Sequence, residues 1–97
     1  MQDPLLYRSI HRIPIAIIKE KVSKATRVPL SLMLMNNREP LARKREYVTA
    51  RQISMTLSMK YSDKSLAVVG REHGDRDHAT VLHAVKTINN LLILKSH

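Results

Sequence analysis

The chain has no cysteine, only two glycines, neither Phe nor Trp beside three tyrosines, and eight acidic residues against seventeen lysines and arginines. Without cysteine there is no disulfide framework, no thiol catalysis and no Cys-ligated zinc, which accords with a reducing, cytoplasmic compartment. With Gly70 and Gly74 as the only glycines, no Gly-rich phosphate loop can be built. Long apolar runs are missing too. The stretch Ile13 to Ile18 is six residues long, contains Pro14 and leads into Lys19-Glu20-Lys21, so it is neither a signal peptide nor a membrane span. The shortage of acid leaves a formal net charge of +9 and a pI near 10.4. Such a surface favours a polyanion, nucleic acid first and an anionic membrane second. The first amphipathic segment lacks aromatic anchors, which weighs against the membrane.

What is present fits one compact helical domain of 97 residues, 43% hydrophobic and 26% charged. Folding at this size buries roughly 60 to 70% of the extended chain's surface, so each helix keeps a wet face for partners. Residues 1–12, punctuated by Pro4, read as an N-terminal arm, and residues 13–97 as a single domain. From Pro14, apolar residues at Ile15, Ile18, Val22 and Ala25 predict a helix ending near Thr26. Pro29 starts a short helix through Leu34, with Leu34 and Met35 packed inward, stopped by Asn36-Asn37 and Pro40. Arg38 to Arg45 reads as a basic loop. A third helix runs from Arg45 to Tyr61 on a stripe of Ala50, Ile53, Leu57 and Tyr61. Ser65 caps a fourth from Leu66 to His73, ended by Gly74, and Asp77 caps a fifth reaching about Leu94 on a stripe of Val81, Val85, Ile88 and Leu92. No alternating strand pattern or internal repeat competes, so the fold class is all-α with about five helices.

The fourth helix, the turn Gly74-Asp75-Arg76 and the longer fifth helix have the lengths of a helix-turn-helix, whose second helix enters the major groove of DNA. Arg76, Asp77, His78 and Thr80 would each present a polar group to base edges, and Ala79 a methyl-sized contact for thymine.

Three runs carry a family resemblance: Arg51-Gln52-Ile53-Ser54-Met55, Ser65-Leu66 with Gly70, and Arg76-Asp77-His78-Ala79-Thr80-Val81-Leu82-His83-Ala84. They resemble the C-terminal DNA-binding domain (domain IV) of DnaA-type bacterial replication initiators, a Trp-repressor-like helix-turn-helix fold. The likeness extends ungapped from Arg43 to about Ile88. It implies sequence-specific binding of double-stranded DNA in replication initiation or its regulation. By matched position, Arg43 enters the minor groove and Arg45 sits by the phosphates. Arg51, Gln52 and His83 contact phosphates, Asp77 and His78 read bases, and Leu66 and Thr80 line the groove. No cofactor is implied.

The chain departs from that pattern at Ala79, where the family has Thr, at Ala67 (usually Pro), Asp75 (Gly) and His73 (Phe). Losing the hydroxyl at Ala79 alters recognition of the family's nine-base-pair box. An extra stretch around Met33 to Leu41 separates the first helices from the basic loop. The family's ATP-binding engine has no counterpart here, and the N-terminal Met suggests a stand-alone product, a regulator or mobile-element protein. Rival readings are a transcriptional regulator, or a module docking on replication proteins through Met33, Met35, Met55 and Met59. A metal site from His73, Asp75, Asp77, His78 and His83 is disfavoured, since His78 and His83 lie about 140° apart on a helix. No nucleophile stands at a recognisable spacing from a base, so an enzyme is not expected.

Overall fold

The computed structural model describes residues 12–36 and 38–95; residues 1–11 of the expected arm lie outside them. Among the described residues the chain is all-α. Its helices are α1 (Ile15–Thr26), α2 (Leu30–Met33), α3 (Arg45–Tyr61), α4 (Leu66–Arg71) and α5 (His78–Lys95), with a one-turn 3-10 helix at Pro40–Arg43. Each boundary has a local cause. Pro14 and Pro29 precede α1 and α2, with fixed φ and no N–H to lose. Arg27 turns left-handed at φ 60° to end α1. The Ser65 hydroxyl accepts the Val68 N–H at 3.3 Å, and Asp77 Oδ1 accepts the Thr80 N–H at 2.9 Å, each capping a helix three residues on. The basic segment expected as a loop contains the 3-10 turn, and α4 stops two residues earlier than His73.

Helix α3 is central and buried on two faces. One face carries Ala50, with Tyr47, Ile53, Leu57 and Tyr61 half-buried, and packs against Ile18, Val22, Val28 and Met33 of the α1–α2 side. The other carries Met55, backed by Met59, and meets Ile15, Val69, Val81 and Ala84. The apolar stripe foresaw the first face only. The second was hidden because Arg51, Ser54 and Ser58 are buried along with Met55. Two further stripe residues are corrected: Ala25 is exposed, and Leu92 is 61% exposed, while Ala84 takes its place in the core. Met33 and Met55 are fully buried and Met59 packs on the core, so they do not form the adaptable methionine surface of the docking alternative.

Polar residues, one inside this core and one at its edge, tie α3 and α1 to the α4–α5 pair. His73, fully buried, donates from Nδ1 to the Val69 carbonyl at 2.8 Å and accepts the Ser54 hydroxyl at Nε2 at 2.7 Å. Two carbonyl-type and hydroxyl partners suit the neutral ring, and burial lowers its pKa from 6.5 to about 4. Lys19 reaches from α1 to the end of α4, donating to the Glu72 carbonyl at 3.0 Å and pairing with its carboxylate at 3.3 Å. That cation complements the negative end of a helix.

Both glycines are where the chain approaches itself. A Cβ on Gly70 would overlap the backbone carbonyl of Arg76, whose own N–H donates back to the Gly70 carbonyl at 2.8 Å. This contact folds the turn tightly onto α4. Gly74 lies at φ 83°, and a side chain there would meet both the Arg76 guanidinium and the Leu34 carbonyl.

Candidate nucleic-acid interface

The α4–turn–α5 unit leaves the first turn of α5 standing clear of the core. His78 and Ala79 are exposed, Thr80 is half-buried, and Val81 beneath them is buried as the anchor. Asp77 is exposed and doubly engaged. Its Oδ1 accepts the Thr80 backbone N–H at 2.9 Å and the Thr80 hydroxyl at 2.8 Å, which hold its carboxyl below the usual range. The carboxylate is therefore charged at neutral pH and fixed in orientation. Both bonds use one oxygen.

Beside this turn an open recess is lined by Arg43, Val48, Gln52, Thr80 and His83. Arg43 ends the 3-10 turn with its side chain exposed, and Arg45, exposed as well, opens α3. His83 is exposed one turn further along α5, with Nε2 at 3.5 Å from the Thr87 hydroxyl, too long to hold the ring firmly. The structure thus brings Arg43 and Gln52, from two neighbouring elements, together with Thr80 and His83 of the distant α5. Leu66 differs: half-buried at the start of α4, it packs against the core cluster of Met55 and Val69.

Two expected contact residues are buried and hydrogen-bonded to backbone carbonyls. Arg76 is only 7% exposed and does not present its guanidinium to solvent as a base-reading group would require. It donates to the His73 carbonyl at 2.6 Å and to the Met35 carbonyl at 2.7 Å. Arg51 is 4% exposed; its Nε donates to the Met33 carbonyl at 2.8 Å and a terminal nitrogen to the Ala42 carbonyl at 3.1 Å. Burial, and then the nearby charge of Arg76, lower its pKa from 12.5 to about 10. It remains protonated at neutral pH. A planar guanidinium with five donors suits this work, because one side chain satisfies several carbonyls that lack helical partners. Arg51 holds the residue next to Arg43 and lines the recess with its remaining edge. Both arginines therefore clamp residues 34–36 and 38–44, termed the strap.

Sequence reasoning missed Leu82, which is 53% exposed one turn after His78 on the same face of α5. Its place was legible: it lies off the Val81–Val85–Ile88 stripe and so falls on the wet face of α5. Val48 in the recess was likewise unforeseen as a lining residue. Among the described residues no group of three or more metal-ligating side chains converges, and no helix is long and apolar enough to cross a membrane.

Comparison with known proteins places this geometry. The chromosomal replication initiator protein DnaA of Wolbachia sp. subsp. Brugia malayi (strain TRS) is 43% identical over 88 residues, which are 90% of this chain and 18% of that protein. DnaA of Flavobacterium psychrophilum is 56% identical over 50 residues, 52% of this chain and 10% of the relative. DnaA of Roseobacter denitrificans is 39% identical over 89 residues, 92% and 18% respectively. The chain spans less than a fifth of the length of these relatives. Residues 15–88 match the family described as the bacterial dnaA protein helix-turn-helix, and the chain belongs to that family.

Proposed function

We propose that the chain binds double-stranded DNA with sequence preference, placing the first turn of α5 in the major groove and Arg43 in the adjacent minor groove. The observation that carries this reading is the Asp77-capped turn, exposed at His78 and Ala79 and flanked by the recess of Arg43, Gln52 and His83. A rigid helix end with outward polar groups is what direct readout needs, and flanking cations supply phosphate attraction without sequence information. His78 reads a base edge, and Asp77 offers its second carboxylate oxygen to a cytosine amino group. Ala79 and Leu82 supply apolar contact to thymine methyls. Arg43 suits a narrow, electronegative minor groove, and Arg45, Gln52 and His83 suit phosphates. Arg51 and Arg76 support this face from inside.

The relatives are named as chromosomal replication initiators, and we place the activity in replication initiation or its regulation. Selection of bound duplexes from a random library tests the reading. Wild type should enrich one motif, His78→Ala should blur it, and Arg43→Ala should weaken binding overall. If wild type enriches nothing and binds duplex no better than the two variants, the reading is wrong.

A further inference from the structure

The strap lies between α2 and α3, and it is a built element. The Glu39 N–H donates to the Asn36 carbonyl at 3.0 Å, the Ala42 N–H to the Glu39 carbonyl at 3.0 Å, and the Lys44 N–H to the Leu41 carbonyl at 3.0 Å. Arg76 fastens it at Met35 and Arg51 at Ala42, and Arg51 also holds Met33, the α2 residue just before it. The glycine at position 74 lets the Leu34 carbonyl lie against the turn of the helix-turn-helix. What this clamping positions is Arg38. Its side chain is exposed and, with Asn36, lines a second open recess together with Asp75, Asp77 and Thr80.

The two recesses share Thr80 and Arg76 and diverge from there. One runs along α5 to His83, with Arg43 on its wall; the other passes the N-terminal end of α5 to Asp75, with Arg38 on its wall. A duplex seated on the first turn of α5 has backbone on both sides of that turn. We propose that Arg38 is a phosphate contact supplied by the strap, extending the DNA footprint past the N-terminal end of the recognition helix on the side away from Arg43. This rests on the DNA-binding reading above. Asp75 and Asp77 both stand in this recess and repel phosphate, so Arg38 also offsets their charge.

Titration of the full chain with the selected duplex and an unrelated duplex, over a range of salt, tests the inference. Arg38→Ala should weaken both complexes several-fold and by the same factor. It should also flatten the slope of log affinity against log salt by about 0.9, the share of one phosphate. Arg38→Lys should restore the slope, and Asp75→Asn should tighten binding. Thermal midpoints should match wild type, since Arg38 is exposed. Wild-type slope and affinity in Arg38→Ala would overturn the inference while leaving the reading intact. Loss confined to the selected duplex would overturn the phosphate assignment in favour of base contact. No salt-dependent binding by wild type would remove the reading and the inference together.

Discussion

Residues 65–80 and the strap meet beside the same turn of α5, yet they are held by different means. The helix-turn-helix is closed on itself by short-range bonds, Ser65 to Val68, Asp77 to Thr80 and the Arg76 N–H to Gly70, and is tied to the body besides by His73 to Ser54 and by Lys19 to Glu72. The strap makes turn bonds of its own but is fastened to the body by Arg51 and Arg76, which reach it across 9 to 41 residues of sequence. An element closed by its own neighbours folds as a unit. One pinned from outside holds its shape only while its pins do.

Removing a pin breaks that contrast most strongly. Arg51→Met leaves the buried Met33 and Ala42 carbonyls without their donors and should cost about 3 kcal/mol in urea unfolding. Amide exchange should rise over 34–44 while α4 and the start of α5 keep their protection; equal loss in both regions would abolish the distinction. Acid tests the opposite side. The folded pKa of His73, about 4, lies below its ordinary 6.5, so as pH falls the unfolded chain takes up the proton first. The stability owed to neutral His73 is whole above about pH 6.5 and drains away toward pH 4, by up to about 3 kcal/mol. His73→Phe paired with Ser54→Ala should flatten that part of the stability profile.

Smaller changes sharpen the comparison. Gly70→Ala forces a Cβ into the Arg76 carbonyl and should cost about 2 kcal/mol, read as a lowered urea midpoint. Its effect on exchange should centre on the turn of the helix-turn-helix. Least of all should be Ser58→Ala. Ser58 is fully buried, and among the described residues its hydroxyl has no hydrogen-bond partner, in contrast to Ser54, so its removal should shift stability by no more than about 0.5 kcal/mol or raise it. A clear loss would reveal a role that Ser54 and Ser58 share.

The same contrast explains what was legible in the sequence. Caps and stripes are local, so α3 was foreseen at Arg45–Tyr61 and the α5 start at Asp77. Arg43, Gln52, His78 and Ala79 were named from spacing and family pattern; the fold brings Arg43 and Gln52 into one recess with Thr80, and leaves His78 and Ala79 exposed just before it on α5. Arg51 and Arg76 could not be separated from surface arginines by any local signal. Their burial depends on carbonyls of the strap, distant in the chain. The second buried face of α3 escaped for a related reason, because Ser54 and Ser58 carry no apolar mark. Leu92 was assigned to the core since periodicity continues past Ile88, although the rest of the domain does not follow it there.

The proposed DNA-binding face is open to direct mapping. Nuclear magnetic resonance titration of the labelled chain with the selected duplex tests it directly, by mapping which amides shift. The account predicts the largest changes at residues 77–83 and 43–52, with 36–39 following, and little change at Ile17, Lys21 and Tyr61 on the apolar groove of α1 and α3. Shifts centred on that groove, with the first turn of α5 undisturbed, would contradict it.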